Sequence, residues 1–280
     1  MRVLIFGATG MLGKALMRVW TGDEVTGLGS ADADIRVPEL VEAQIQRVRP
    51  DWIVLSAAYT DVDGCELNPQ LANAVNTQGA VNVARAAAKS GAKLLLVSTD
   101  YVFDGRNATP YEVDHRRNPI NSYGESKAEA EKKILEILPD ACIVRTSWLF
   151  GAGGKCFPDT ILKLAVTRPQ IEVVNDQRGC PTYTDDLAFA IVQLWRANAQ
   201  GIIHCTNAGD CTWYDFAREI LSQAGSMTKV FPTTTEKFVR PANRPRYSVL
   251  SSASLRKYGI AMKPWQQTLS DYLRQRQSGI

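Results

Sequence analysis

The sequence predicts an α/β fold: a Rossmann-like doubly wound parallel sheet with a smaller C-terminal lobe. Three observations carry that expectation. Short, uniformly apolar runs alternate with helical patterns through the first half of the chain. A glycine-punctuated loop follows the first of those runs. After Gly151 the alternation gives way to turns and short segments.

The first run, "RVLIF" (2 to 6), precedes the glycine loop and a helix near 10 to 20. "DEVTGLG" (23 to 29) reads as a second strand and "DWIVLSAA" (51 to 58) as a third. A helix across 71 to 90 leads to "KLLLVST" (93 to 99), and a helix across 126 to 138 leads to a strand at 141 to 151. Strands apolar along their whole length are buried on both faces, which requires helices on either side of a parallel sheet. Beyond the "GAGGK" loop the pattern predicts a helix near 157 to 167, a strand at 171 to 174 and the turn-rich "NDQRGCPT" (175 to 182). A helix at 185 to 195, a strand at 201 to 206, a helix near 212 to 224 and a final helix after Pro264 complete the chain. The expected division is a nucleotide-binding domain over 1–151 and a mainly substrate-binding lobe over 152–280. The two interleave, with segments near 171–206 free to return to the Rossmann sheet.

The chain has 280 residues, of which 45% are hydrophobic, enough for a core that needs no covalent staples. Its 32 basic and 29 acidic residues leave a net charge of +3 with no long basic run, which argues against a nucleic-acid or membrane-surface role. The N-terminal apolar run is too short for a secretory or membrane segment, so a cytoplasmic protein is expected. The six cysteines contain no C-x-x-C and have two histidines for company. They are expected to be reduced and buried, with no metal site.

Gly7, Gly10 and Gly13 form G-x-x-G-x-x-G between a strand and a helix. In that context the glycines let backbone approach a pyrophosphate and let helix pack on strand, while the helix N-terminus presents N–H groups to phosphate. The second strand ends in Gly27-Leu28-Gly29-Ser30 where an NAD-binding fold places an acid, with Asp32 and Asp34 further along. Lack of that acid admits a 2′-phosphate, and no Arg stands there to select it. The expected cofactor is NADPH, with NADH also admitted.

Tyr123 and Lys127 are four residues apart, one turn on one helix face if the helix begins near Tyr123. A phenol near pKa 10 needs a neighbouring cation to work as a proton donor near neutrality. Thr99, at the carboxyl end of a parallel strand, lies on the edge where such sheets bind ligands. The same spacing also occurs by chance at the start of charged helices.

The glycine loop, "AAYTDVD" (57 to 63), "STDYVFDG" (98 to 105), "YGESK" (123 to 127), "RTSWLFG" (145 to 151), "NDQRGCPT" and "RPANRPRYSVL" (240 to 250) resemble the extended short-chain dehydrogenases. Within these they are most similar to the dTDP-4-dehydrorhamnose reductase branch. The resemblance covers nearly the whole chain. It implies NADPH-dependent reduction of the C4 ketone of a dTDP-linked keto-deoxy sugar in nucleotide-sugar and polysaccharide biosynthesis. It further implies that Tyr123 protonates the developing alkoxide, that Lys127 holds the nicotinamide ribose and depresses the Tyr pKa, and that Thr99 bonds the same oxygen. Gly7, Gly10, Met11 and Leu12 would face the pyrophosphate. Asp34 and Ile35 would lie beside the adenine, and Ala57, Ala58, Tyr59 and Thr60 under the cofactor's middle. Asp100, Trp148 and Arg240 would contact the sugar nucleotide. The sequence departs from the family at Met11, and "GKALMRVW" lacks the acid through which some members bridge magnesium between subunits, so no metal is expected. The assembly is expected to be a monomer or homodimer. Arg240, Arg244 and Arg246 are consistent either with a solvated loop or with diphosphate binding.

Three alternatives share these motifs: an epimerase that returns the hydride, a reductase of another dTDP-4-keto-deoxy sugar, and a non-catalytic NADP-binding regulatory subunit. The complete Thr99, Tyr123 and Lys127 set favours catalysis.

Overall fold

Six parallel strands form the central sheet of the computed structural model, which describes residues 1–277. The chain opens with β1 (Arg2–Phe6), α1 (Met11–Val19), β2 (Glu24–Leu28), α2 (Pro38–Val48) and β3 (Trp52–Leu55). Next come α3 (Val62–Leu67), α4 (Pro69–Ala72), a π-helical turn over Asn73–Gly79, α5 (Ala80–Ser90) and β4 (Lys93–Thr99). A 3-10 turn over Asp100–Val102 precedes α6 (Ser122–Ile137) and β5 (Cys142–Thr146).

The second half holds β6 (Leu149–Phe150), α7 (Phe157–Thr167), β7 (Gln170–Val174), β8 (Arg178–Gly179) and β9 (Thr182–Tyr183). Then follow α8 (Thr184–Arg196), β10 (Gly201–His204), β11 (Cys211–Thr212), α9 (Trp213–Gln223), β12 (Lys229–Thr233), α10 (Ala253–Arg256) and α11 (Trp265–Gln277).

The sheet order is β10-β5-β4-β3-β1-β2, with every pairing parallel. β1 lies between β2 and β3, so the chain leaves it toward opposite edges and a crevice opens at the strands' carboxyl ends. Along β1, Val3 and Ile5 join a core with α1 and α8, whereas Leu4 and Phe6 join one with α2, α5 and α6. Both faces are therefore dry, the physical reason the strand sequences lack polar alternation.

A third core, containing Phe150, Val173, Phe216, Ile220, Trp265 and Leu269, is built from segments that follow β5. Strand β7 pairs with β12, while β10 returns to the edge of the main sheet against β5. The segment after Arg240 runs back across the first half. Tyr247 bridges to Arg178 and Leu250 to Tyr111, and Asn121 Nδ2 donates to the Asn243 carbonyl at 2.7 Å.

Some elements differ from expectation. The helix α2 leaves almost no apolar periodicity in the sequence because only Val41 and Ile45, one turn apart, are buried in its eleven residues. The strand expected over 141 to 151 is split, since Trp148 adopts φ +47°, which no strand accommodates. The helix expected over 71 to 90 contains the π-helical turn. The helix expected to begin at 126 begins at Ser122, capped by Asn121 Oδ1, which accepts from Gly124 N at 2.8 Å. Strand β12 was also missed: Pro232 lies within it and most of its side chains face solvent.

Among the described residues no helix is long and apolar enough to cross a membrane, and no three His, Cys, Asp or Glu side chains cluster as metal ligands. All six cysteines are free and buried.

Candidate active site

The loop from Phe6 to Met11 is shaped by its glycines. Gly7 has φ +90°, and a Cβ there would lie 2.5 Å from the Ala57 nitrogen. At Gly13 a Cβ would meet the Gly7 carbonyl oxygen at 2.0 Å, so α1 can start this close to β1 only with glycine. No side chain caps α1 and its first turn holds no acid, which leaves the N–H groups of Met11 and Leu12 facing an anion-compatible cradle. This geometry fits a dinucleotide pyrophosphate.

Beyond β2, Asp32 Oδ2 accepts from Gly29 N at 2.8 Å, and the Asp34 carboxylate is held by Arg36, with Nη2 to Oδ2 at 2.6 Å. That hydrogen bond holds Asp34 below the usual carboxylate range despite some burial. Arg36 thus supplies a cation near the position where none was expected from sequence. Ile35 is buried against Gly79. Ala57, Ala58, Tyr59 and Thr60 follow β3 at the sheet's carboxyl edge.

Thr99 ends β4, and Tyr123 and Lys127 occupy the first two turns of α6. The Thr99 hydroxyl donates to Asp100 Oδ1 at 3.0 Å, and its dipole favours the charged form of the Tyr123 phenol. Burial raises the phenol well above its ordinary pKa, with Thr99 opposing and the Asp100 charge adding. Lys127, 2% exposed, donates from Nζ to the Val97 carbonyl at 2.7 Å, and burial pulls its pKa down to about 8 against Glu131, which raises it. The Lys127 ammonium is aimed at a backbone carbonyl, and desolvation is the largest influence on the Tyr123 phenol.

Asp100 is 2% exposed, its pKa is pushed up to about 7 by burial, and its Oδ2 has no hydrogen-bond partner. An orphaned buried oxygen beside Thr99 is a ready acceptor for a ligand hydroxyl. Trp148 stacks on Trp213 with ring centroids 3.5 Å apart and planes 7° from parallel. Its indole also covers Gly179, where a Cβ would approach within 2.6 Å.

A cleft of about 770 Å³ adjoins these residues, lined by Tyr101, Phe157, Val173, Trp213, Arg240 and Arg244 among others. Tyr101 sits edge-on to Tyr123, with centroids 5.9 Å apart, and joins the cleft to the Tyr123 ring. Arg240 and Arg244 both pair with Asp63, while Arg246 reaches an exposed Glu236 at 3.8 Å. The three arginines all face the cleft.

Three contributors went unrecognised in the sequence. Asp63 lay inside a quoted motif, but its partners are some 180 positions away. Trp213 opens a helix whose apolar pattern reads as core. Asn76, 2% exposed, accepts from Tyr59 N at 2.7 Å and donates to Tyr59 O and Ser126 Oγ at 3.0 Å each, joining the loop after β3 to α6. Its one signal is the π-helical turn, which marks functional sites more often than chance.

Residues 1–278 match the family described as RmlD substrate binding domain. The chain is 40% identical over 279 residues to the spore coat polysaccharide biosynthesis protein SpsK of Bacillus subtilis, covering 99% of this chain and 98% of that protein. It is 40% identical to the dTDP-4-dehydrorhamnose reductase of Streptomyces griseus, covering 96% and 92%. Its fold superposes with a TM-score of 0.96 on the Bacillus anthracis dTDP-4-dehydrorhamnose reductase solved in complex with NADP, at 39% identity over 98% of this chain and 99% of that one.

Proposed function

This chain belongs to the RmlD substrate-binding-domain family, and from that premise we propose that it reduces the C4 ketone of dTDP-4-dehydro-6-deoxy-L-mannose with NADPH, giving dTDP-L-rhamnose. The observation that carries this reading is the convergence of Thr99, Tyr123 and Asp100 beside a cleft large enough for a sugar nucleotide. The bound nicotinamide would supply the hydride; the chain's residues do the rest.

Gly7, Gly10, Met11 and Leu12 would hold the pyrophosphate through backbone N–H groups, and Lys127 would hold the nicotinamide ribose. Asp34 and Ile35 would flank the adenine, with Arg36 beside the 2′-phosphate, and Ala57 to Thr60 would underlie the middle of the cofactor. Tyr123 would donate its proton to the C4 oxygen as negative charge develops there, and Thr99 would donate a second hydrogen bond to the same atom. The phenol's raised pKa keeps it protonated, the form a donor needs. Asp100 would accept a sugar hydroxyl at its free Oδ2, and Trp148 would offer an apolar face to the deoxy sugar. Arg240 and Arg244 would face the diphosphate. The C-terminal lobe would bind the nucleotide sugar, in a cytoplasmic enzyme that is a monomer or homodimer and has no nucleic-acid partner.

NADPH oxidation measured with dTDP-4-dehydro-6-deoxy-L-mannose tests the proposal. Stoichiometric oxidation is expected, and Tyr123→Phe should lose roughly 10²–10⁴ in kcat with cofactor affinity retained. Substrate turnover without net nicotinamide oxidation would sink the reductase reading in favour of an epimerase.

A further inference from the structure

Glu131 is fully buried one helical turn beyond Lys127. Its carboxylate accepts four hydrogen bonds. Oε1 takes them from Ser98 Oγ at 2.5 Å and Arg145 Nε at 2.9 Å; Oε2 takes them from Arg145 Nη2 at 2.7 Å and Arg117 Nη1 at 3.1 Å. Ser98 immediately precedes Thr99 on β4, and Arg145 lies opposite Ser98 on β5. One side chain of α6 is therefore fastened to the strand that carries Thr99 and to the next strand in the sheet.

Arg145 is equally enclosed. It is 1% exposed, its guanidinium lies over the Phe103 ring, and Nη1 also reaches the Val113 carbonyl and His204 Nε2, each at 3.3 Å. His204 is pushed down to about 3 by burial and by Arg145, so it stays neutral and adds no charge. Against α6, β4 contributes the Val97 carbonyl to Lys127 and the Ser98 hydroxyl to Glu131, and the π-helical turn contributes the neutral Asn76 and Thr77, which bond Ser126. Asp100 follows β4, while Arg145 and Arg117 stand behind Glu131. The charged side chain that acts on Lys127 is Glu131.

We propose that Glu131 is a positioning residue for catalysis: its hydrogen bonds to Ser98 and Arg145 set the spacing between α6, which carries Tyr123 and Lys127, and β4, which ends in Thr99, with its carboxylate one helical turn from Lys127. The proposal rests on the reading of Thr99, Tyr123 and Lys127 as the catalytic set. Buried carboxylates hold strands and helices together in many proteins without touching chemistry. What distinguishes this one is that its electrostatic effect falls on the cation that the reaction uses, and that its Ser98 partner adjoins Thr99.

The test compares Glu131→Gln, Arg145→Gln and the double variant with the parent. Two readouts are the titration of Lys127 by ¹³Cε NMR, assigned by its loss in Lys127→Met, and the pH profile of kcat. Without the carboxylate, the Lys127 midpoint should fall by about one unit in both Glu131→Gln and the double variant, equivalent to roughly tenfold less charged Lys127 at alkaline pH. The alkaline limb of kcat should move with it, while KM for NADPH below that limb stays within about twofold. Arg145→Gln should not lower the midpoint. Glu131→Gln leaves a buried guanidinium uncompensated; if it fails to fold, the double variant, which removes both members of the pair, answers the same question. A double variant that folds with an unmoved Lys127 midpoint and an unmoved alkaline limb overturns the proposal and leaves Glu131 a brace only. Because the NMR titration needs no substrate, a parent protein without reductase activity would defeat the functional reading and leave the charge relationship separately measured.

Discussion

Asp63 holds Arg240 and Arg244 at once: its Oδ2 accepts from Arg240 Nε at 2.8 Å and its Oδ1 from Arg244 Nη2 at 3.0 Å. Ala242 N donates to the same Oδ1 at 3.2 Å, so three groups of one strap converge on one carboxylate. These contacts hold Asp63 below the usual carboxylate range in spite of desolvation. Two cations that the sequence offered for diphosphate binding are thus folded onto an acid that follows the loop after β3.

Asp63→Asn should tighten dTDP binding roughly three- to tenfold at low ionic strength, because a competing anion leaves the two arginines. The gain should shrink toward nothing near 0.5 M salt, where screening acts over only a few ångströms. Calorimetric titration of dTDP at two salt concentrations measures both. Weaker binding in the variant would mean that Asp63 presents the arginines to the diphosphate instead of competing with it.

The Asp100 carboxyl makes stability depend on pH. Its folded pKa, about 7, lies above the ordinary value of 3.8, so the folded chain holds that proton more tightly than the unfolded chain. The contribution is fully present below about pH 4 and is lost as pH rises through about 7. Asp100→Asn should therefore melt about 5 °C or more above the parent at pH 8, with the gap closing by pH 5. Thermal melts at the two pH values decide it: a gap of the same size at both would break the link to this proton.

Gly179→Ala drives a methyl group toward the Trp148 indole, 2.6 Å from Cε2. The indole must shift, and its stack on Trp213 opens. The expected loss is roughly tenfold in kcat/KM for the sugar nucleotide, inside the hundredfold that a 1 Å misplacement can cause, with NADPH affinity unchanged. Tryptophan fluorescence reports the opened stack directly. An altered stack with normal kinetics would remove Trp148 from the substrate site.

The central sheet was legible because its strands are dry on both faces, which writes Val3 to Phe6 or Leu94 to Leu96 as unbroken apolar runs. Loop chemistry was legible where a spacing fixes the geometry, as with Gly7, Gly10 and Gly13, or with Tyr123 and Lys127 on one helix. The α2 helix was not, since its two buried residues sit among charges that any loop could carry. Asp63 with Arg240, 177 positions apart, and Glu131 with Arg145, on a helix and the strand after it, are pairings between separate elements, for which periodicity has no signal. The behaviour of Lys127 could not be read from spacing either: four residues place it near Tyr123, but the Val97 carbonyl decides where its ammonium points.

The strap after Arg240 sets a timetable on synthesis. All six strands of the central sheet have left the ribosome's peptidyl-transferase centre by His204, yet the carbonyl that receives Asn121 Nδ2 comes from Asn243, and the cleft takes part of its wall from Ala242 and Arg244. Domains generally begin folding from the N-terminus while translation continues. A nascent chain halted near residue 235 would accordingly hold the glycine loop and all six strands while the cleft proposed for the sugar nucleotide lacked one side, separating competence for the two proposed ligands in time.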